Sequence, residues 1–370
     1  MTGEGRTNNP DLSRYALIRP DIELFPEREI VLPHMLRVIG WTAISAHRLI
    51  EEFTGGRPED GDLSKEEKDR RVIRIDTEAD RVFRWGLGRV PFQSHVIAGE
   101  GAKEAAADHL GTAMPVTLGM VGTGGQRLDL VHDVVEGTTN AAHNRPNAVS
   151  IIGVSTHGGI VRIPTNPRTG REANYVCKLF APKEFRDALS LEIPTRYNLR
   201  AMMKHAGIEA GAITVAVMDR KCNATIIREA EEFGAKVERI SSGDLLQGLK
   251  AMLSEPEHPI IMLGRGGAPE GVITAVAARA LDATGQLRVI EEERDMEAEY
   301  TTRIWTPEMS VPGAPEQSSV MFTAITRNDH FNLPAVRPTG QPNHYEVVSL
   351  VIDPTGVHQL TTVLDYPECL

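Results

Sequence analysis

The sequence predicts a chain of mixed class, an α+β part with an antiparallel sheet followed by a parallel βα part, and three observations carry that prediction. Strand and helix patterns alternate strictly from Ile213 to Leu281. Before Asn198, two helical periodicities precede several short strand patterns; after Ser318, three more strand patterns are separated by turn residues. A length of 370 residues, 41% hydrophobic and 25% charged, suits one large or two medium domains.

Residues 1–30 carry Pro10, Pro20 and Pro26 among polar neighbours, which predicts a flexible arm. Leu36, Ile39, Ala43, Ala46, Ile50 and Phe53 recur at three- and four-residue steps, so an amphipathic helix is expected from Pro33 to Phe53, ended by Gly55-Gly56. The alternating charges from Glu59 to Arg71 read as a solvated loop or surface helix without function. A second helix is expected from about Thr77, with Asp80 and Arg84 on one face.

His95 to Ala98 reads as a strand that reaches Gly99-Glu100-Gly101. Leu128 to Asp133 reads as another, left through the turn Glu136-Gly137-Thr138-Thr139, and Ala148–Ser155 and Ile160–Pro164 as a hairpin around Thr156-His157-Gly158-Gly159. Beyond Asn198 the expected elements are Ile213–Met218, Ala224–Phe233, Lys236–Ile240, Asp244–Met252, Pro259–Leu263 and Val272–Leu281. Three βα units imply a parallel sheet covered on both faces, with ligands bound beyond the carboxyl ends of its strands. Those ends are Asp219-Arg220-Lys221, Ser242-Gly243-Asp244 and Gly264-Arg265-Gly266-Gly267. Ser319–Thr326, Glu346–Ile352 and His358–Leu364 complete the chain as antiparallel strands, the last two joined by the turn Asp353-Pro354-Thr355-Gly356. The expected parts are thus 31–190, 191–290 and 291–370.

A formal net charge of -11 disfavours nucleic acid as the ligand, so a phosphate-bearing partner must meet local positive charge or a metal. Cys177, Cys222 and Cys369 are odd in number and lack ligand spacing, which fits a reducing compartment. With no apolar leader and no run near the roughly 20 apolar residues of a membrane span, the expectation is a soluble, cytoplasmic chain.

The most informative motif is Asp133-Val134-Val135-Glu136-Gly137-Thr138, two carboxylates at a strand exit with a hydroxyl just beyond. Hard cations need several converging oxygen ligands, and Glu100 and Glu270 offer two more beside glycines. In Gly266-Gly267-Ala268-Pro269-Glu270-Gly271 the glycines let backbone amides approach an anion at a helix entrance. A dinucleotide fingerprint fails there because Pro269 stands where the third glycine belongs, and no P-loop lysine follows. Asp129 shares the strand face of Asp133 and is placed to assist it, whereas His132 points the other way; His143, Asn144 and Arg145 read as an exposed loop.

Together these motifs resemble the class II fructose-1,6-bisphosphatases, within the lithium-sensitive, magnesium-dependent sugar and inositol phosphatase superfamily. The resemblance runs from about Asp76 to Leu281 and rests on Ile97-Ala98-Gly99-Glu100-Gly101, the Asp133 to Thr138 run, Asn147-Ala148, Tyr175 with Lys178, Asn198-Leu199 and the Gly266 to Val272 run. It implies the layered αβαβα sugar-phosphatase fold, the βα part being Rossmann-like, and a homo-oligomer. It also implies Mg2+ or Mn2+ held by Glu100, Asp133, Glu136 and Glu270, with Thr138 beside the attacking water. A further ligand follows a threonine at a helix start in the superfamily, which favours Asp80, while gapless counting back from Glu100 points to Asp76. On this reading Asp80, Glu100 and Thr138 are catalytic, and Gly137, Thr138, Tyr175, Arg220, Lys221, Ser242, Gly243, Asp244 and Gly267 meet the substrate.

The departures fall in substrate-facing loops. Where the family has a Lys-Pro-Arg-His loop this chain has Asp219-Arg220-Lys221-Cys222, and Ser242-Gly243-Asp244 replaces Asp-Gly-Asp. The implied function is hydrolysis of a sugar mono- or bisphosphate with altered substrate choice. The alternatives are a phosphatase for an inositol, nucleotide or unusual sugar phosphate, and a non-catalytic sugar-phosphate sensor, against which the intact carboxylates count.

Overall fold

A computed structural model describes residues 28–58, 61, 63–99, 120–161, 175–290 and 300–368. Glu100, Cys369 and nearly all of the expected 1–30 arm lie outside them. The chain opens with helices α1 (Arg28–Thr54) and α2 (Lys65–Leu87), followed by strands β1 (Gln93–Gly99), β2 (Met120–Val121) and β3 (Arg127–Glu136). A short helix α3 (Thr138–Ala142), β4 (Val149–Thr156), β5 (Tyr175–Ala181) and α4 (Thr195–Ala206) come next. The βα region is β6 (Thr214–Met218), α5 (Ala224–Phe233), β7 (Lys236–Ile240), α6 (Asp244–Met252), β8 (Ile260–Gly267) and α7 (Ala268–Ala280). Then follow β9 (Thr284–Ile290), β10 (Tyr300–Trp305), α8 (Pro307–Ser310), β11 (Ser318–Ala324), β12 (Arg337–Pro338), β13 (His344–Asp353) and β14 (Gly356–Asp365).

The stripe predicted for α1 is the buried one: Ile39, Ala43, Ala46 and Ile50 are closed to solvent, and the helix unwinds at Gly55 and Gly56 with φ of +60° and +76°. Helix α2 begins at Lys65, not near Thr77. Ser64 accepts a hydrogen bond from the Glu67 backbone N–H at 3.2 Å, and the Glu67 carboxylate then pairs with Arg70 and Arg71. From Lys65 onward the charged run is therefore the capped first turns of a helix, the second of the two expected alternatives; Glu59, Asp60 and Asp62 lie outside the described residues.

One sheet has eight strands in the order β12-β13-β11-β4-β3-β1-β2, with β14 on β13. Within it β1 and β3 are parallel, and β4 lies antiparallel between β3 and β11. The hairpin expected from β4 does not form at its described part: Thr156 to Gly159 turn, but Ile160 is not in a strand, and Ile163 and Pro164 lie outside the described residues. Both ladder edges of β4 are taken by β3 and β11, leaving no edge for a following strand.

The second sheet runs β10-β9-β5-β8-β6-β7. Only β8, β6 and β7 are mutually parallel, so the parallel character is confined to the three βα units; β5 and β9 join antiparallel. Strand β5 thus pairs with the βα region, and the C-terminal strands split between the sheets. Three buried clusters define five layers. Helices α1 and α2 cover the outer face of the first sheet, α6 and α7 fill the space between the sheets, and α4 and α5 cover the outer face of the second. This is the αβαβα arrangement.

His132 faces α2, 2% exposed, with its ring 4.5 Å from that of Phe83. Burial, aided by the Arg84 guanidinium, pushes its imidazole down to about 3. His330, beside Lys250, is likewise held down to about 4, chiefly by burial. The unfolded chain therefore takes up protons below about pH 6.5 that the native state refuses, so these groups leave stability intact above that pH and erode it as the pH falls toward 4 and 3. Denaturant unfolding between pH 7 and pH 5 should show that loss, and His132→Gln should flatten the slope by up to about 1.4 kcal/mol per pH unit. His143, expected in an exposed loop, is instead 3% exposed where α3 ends.

Candidate metal and substrate site

Strand β3 carries Asp133 and Glu136, 1% and 5% exposed, at its carboxyl end. A register shift lies between them, and Asp133 Oδ1 accepts the Val135 backbone N–H at 3.0 Å across it. Gly137 then turns with φ +80°; a Cβ there would lie 2.8 Å from the Asn147 carbonyl, so only glycine lets the chain leave the strand so sharply. Thr138 opens α3 and donates its hydroxyl to the Val135 carbonyl at 2.9 Å.

Glu136 crosses to the second sheet. Its Oε1 accepts the backbone N–H of Leu245 at 2.9 Å, in the first turn of α6, where an anion is favoured by the unsatisfied amides. This bond joins the β3 exit to the Ser242-Gly243-Asp244 loop. Asp244, 6% exposed, accepts a charge-assisted bond from Lys178 Nζ at 2.9 Å, and Lys178 on β5 is 1% exposed. The pair sits against Gly266, where an added Cβ would lie 1.9 Å from Asp244 Oδ2 and 2.8 Å from Lys178 Nζ. We therefore expect Gly266→Ala to displace the pair and cost about 1–3 kcal/mol, read by denaturant unfolding.

Gly267 is packed in the same way against Glu270, 8% exposed, whose carboxylate a Cβ would meet at 2.1–2.4 Å. Tyr175 lies opposite Gly267 in the β5–β8 ladder and is exposed. Parallel pairing brings the ends of β6, β7 and β8 to one edge, and Asn223, fully buried, ties two of them together. Its Nδ2 donates to the Met218 carbonyl at 3.0 Å and its Oδ1 accepts from Arg265 N at 2.9 Å. Arg220 and Lys221 are exposed at that edge. Asp219, which replaces a cation of the family loop, stands 3.5 Å from Arg239.

Asp80 is placed differently. Its Oδ2 accepts from Arg84 Nε at 2.6 Å, and it lines a cavity with Phe83, Val96 and His132 on the α2 side of the first sheet. Asp76 lies one turn nearer the start of α2, toward Arg71, which donates to the Ala142 carbonyl in α3 at 3.1 Å. The structure thus gathers Glu136, Lys178, Asp244 and Gly266, and Glu270 with Gly267, while Asp80 lies with Arg84, Phe83 and His132. The sequence reading missed the Lys178–Asp244 pair and Asn223; Lys178 stood among the resemblance motifs without a role, and nothing local marked Asn223.

Bacterial fructose-1,6-bisphosphatase, glpX-encoded, is the family whose model matches this sequence, across residues 67–351. The chain belongs to that family. The class 2 D-fructose 1,6-bisphosphatase/sedoheptulose 1,7-bisphosphatase of Synechococcus sp. (strain JA-3-3Ab) is 30% identical over 230 residues, 60% of this chain and 64% of its own length. The enzyme of the same name from Prochlorococcus marinus (strain MIT 9301) is 30% identical over 208 residues, 56% of this chain and 58% of its own. This glpX-family chain thus spans less than two thirds of those relatives. The extragenic suppressor protein suhB of Bartonella henselae aligns at 15% identity over 60% of this chain and 75% of its own, with a TM-score of 0.29. Among the described residues no helix is long and apolar enough to cross a membrane.

Proposed function

We propose that this glpX-family chain is a divalent-metal-dependent phosphatase that hydrolyses a phosphate ester of a sugar mono- or bisphosphate. The observation that carries the reading is the Glu136–Leu245 bond, which fastens a carboxylate-bearing strand exit to the ligand-binding edge of the βα sheet. Asp133, Glu136 and Glu270 supply buried carboxylate oxygens, the donor set that Mg2+ or Mn2+ takes, and the Gly267 cradle leaves room for the Glu270 carboxylate. Glu100 is proposed as a fourth ligand. For the fifth, the Arg84 bond and the placement of Asp80 in the cavity with Phe83 and His132 support Asp76 over the Asp80 that threonine spacing favours.

Held by these carboxylates, such a cation would lower the pKa of water and offset charge on the ester and its leaving oxygen. Thr138 has committed its hydroxyl hydrogen to the Val135 carbonyl, so its oxygen is left to accept a hydrogen bond from the attacking water and hold it in line. Gly137 and Gly267 expose backbone to the phosphate. Arg220 and Lys221 bring positive charge, and Ser242 and Gly243 border the sugar. Lys178 holds Asp244, so that carboxylate fixes the loop rather than meeting the substrate as a free acid.

A second reading, a phosphatase for another sugar or an inositol monophosphate, draws support from Asp219: paired with Arg239, it puts a carboxylate where the family has a cation. Phosphate release across fructose 1,6-bisphosphate, sedoheptulose 1,7-bisphosphate, sugar and inositol monophosphates and nucleotides separates the two. A preference for the bisphosphates supports the first reading, a preference for a monophosphate the second, and silence on all of them with ligand-induced thermal stabilisation would favour a sensor.

A further inference from the structure

At the opposite end of β3 from the carboxylate exit, three side chains from three segments converge. His95 on β1 stands beside Asp129 in the parallel β1–β3 ladder, and His157 follows the end of β4, the strand paired with β3 on its other side. His95 Nδ1 and His157 Nδ1 lie 3.3 Å and 2.9 Å from the same Asp129 Oδ1, and all three ligand atoms fall within 4.8 Å of one another. We propose that His95, Asp129 and His157 form a second cation site, for a borderline transition metal such as zinc, separate from the all-oxygen set at Asp133 and Glu136.

Four observations support the assignment. First, donor spacing fits: a tetrahedral ion with ligand bonds of about 2.0–2.1 Å holds neighbouring donor atoms about 3.3 Å apart, so little movement is needed for Oδ1 and the two imidazole nitrogens to share one ion. Second, donor chemistry differs from the main site. Two imidazoles and one carboxylate suit zinc, whereas magnesium favours oxygens alone.

Third, Asp129 is 1% exposed, and among the described residues it pairs with these two histidines and with no lysine or arginine. A buried carboxylate is costly without a positive partner, and a divalent cation between the rings supplies one. Its Oδ2 is held by the Ile160 backbone N–H at 3.1 Å, the kind of outer bond that orients a ligating carboxylate. Fourth, the His95 and His157 side chains are 37% and 44% exposed, so an ion has a path in and a position open for water.

Asp129 is four residues from Asp133, about 13 Å along the strand, so the two sites do not share an ion. Held there, the ion cross-links β1, β3 and the turn after β4, and it fastens the root of the strand whose far end carries Asp133 and Glu136. The role is structural, and it stands whether or not the proposed phosphatase activity does.

The test is titration of chelator-stripped full-length chain with Co2+, whose visible absorption reports nitrogen ligation, followed by displacement with Zn2+. The wild type should take up an ion with a visible ligand-field band that Zn2+ removes, and Asp133→Asn should retain it. The double variant His95→Gln/His157→Gln should lose the band and weaken Zn2+ binding by more than the about 100-fold that loss of an outer partner costs. Both positions are half-exposed, so the fold should survive, as circular dichroism would show. Asp129→Asn, which keeps the bond from Ile160, is the second variant and should also weaken uptake. Absence of the band in the wild type, its persistence in the double variant, or its loss in Asp133→Asn alone would overturn the assignment and leave a hydrogen-bonded His–Asp–His cluster.

Discussion

Asp133→Asn should lower metal-dependent phosphate release about 1,000-fold while leaving the fold intact. The substitution removes one formal charge from a donor set that, as proposed, would hold a cation against an anionic ester. Several kcal/mol of charge stabilisation depend on that cation, and about 4 kcal/mol corresponds to three decades in rate. Asparagine keeps an oxygen for the Val135 N–H, so the bond across the register shift survives and the variant separates chemistry from folding. Steady-state phosphate release at saturating Mn2+, with circular dichroism alongside, checks this. A fall of less than tenfold would remove Asp133 from the ligand set.

The largest stability effect is expected at Lys178. Replacing it with methionine fills the same space but leaves Asp244 buried, 6% exposed, without its ammonium partner at 2.9 Å. Breaking one side of a buried ion pair costs about 3–5 kcal/mol, because the remaining charge is stranded away from water. Denaturant midpoints at pH 7 measure it. The double variant Lys178→Met/Asp244→Leu should recover much of the loss, since an apolar pair of similar volume carries no stranded charge. If Lys178→Met alone is as stable as the wild type, the pair does not hold the Ser242-Gly243-Asp244 loop.

Elements fixed by local pattern were legible in the sequence. The α5, β7 and α6 ranges match the expected segments because each is a short run bounded by a turn, with Gly234 at φ +88° and Gly243 at φ +84° marking the breaks. The start of α2 was hidden by its charge, although Ser64 followed three residues later by Glu67 is a helix-start signature that overrides a loop reading. The failed hairpin at Ile160 has a different cause. The partners of β4 include β11, more than a hundred residues away, and nothing near Ser155 announces that pairing.

The candidate site divides the same way. Glu136 and Glu270 were visible because each sits beside a glycine that marks a strand exit or a helix entrance, and Asp133 because it stands three residues before Glu136. What joins them was not visible: Glu136 reaches Leu245 over 109 residues, Lys178 reaches Asp244 over 66, and His95 reaches Asp129 over 34. Spacing along α2 leaves Asp76 and Asp80 as alternatives, because both lie on one stripe of the helix; what packing adds is the Arg84 bond and the Phe83 cavity at Asp80.

The proposed role of the β3 carboxylates is to hold divalent cations for hydrolysis of a sugar phosphate. Its most direct test is phosphate release by the full chain from fructose 1,6-bisphosphate and a set of sugar monophosphates, first after chelation and then with Mg2+ or Mn2+ restored, in the wild type and in Glu136→Gln. Turnover should disappear on chelation, return with the metal, and stay absent in Glu136→Gln. Turnover that survives chelation, or that Glu136→Gln leaves unchanged, would contradict it.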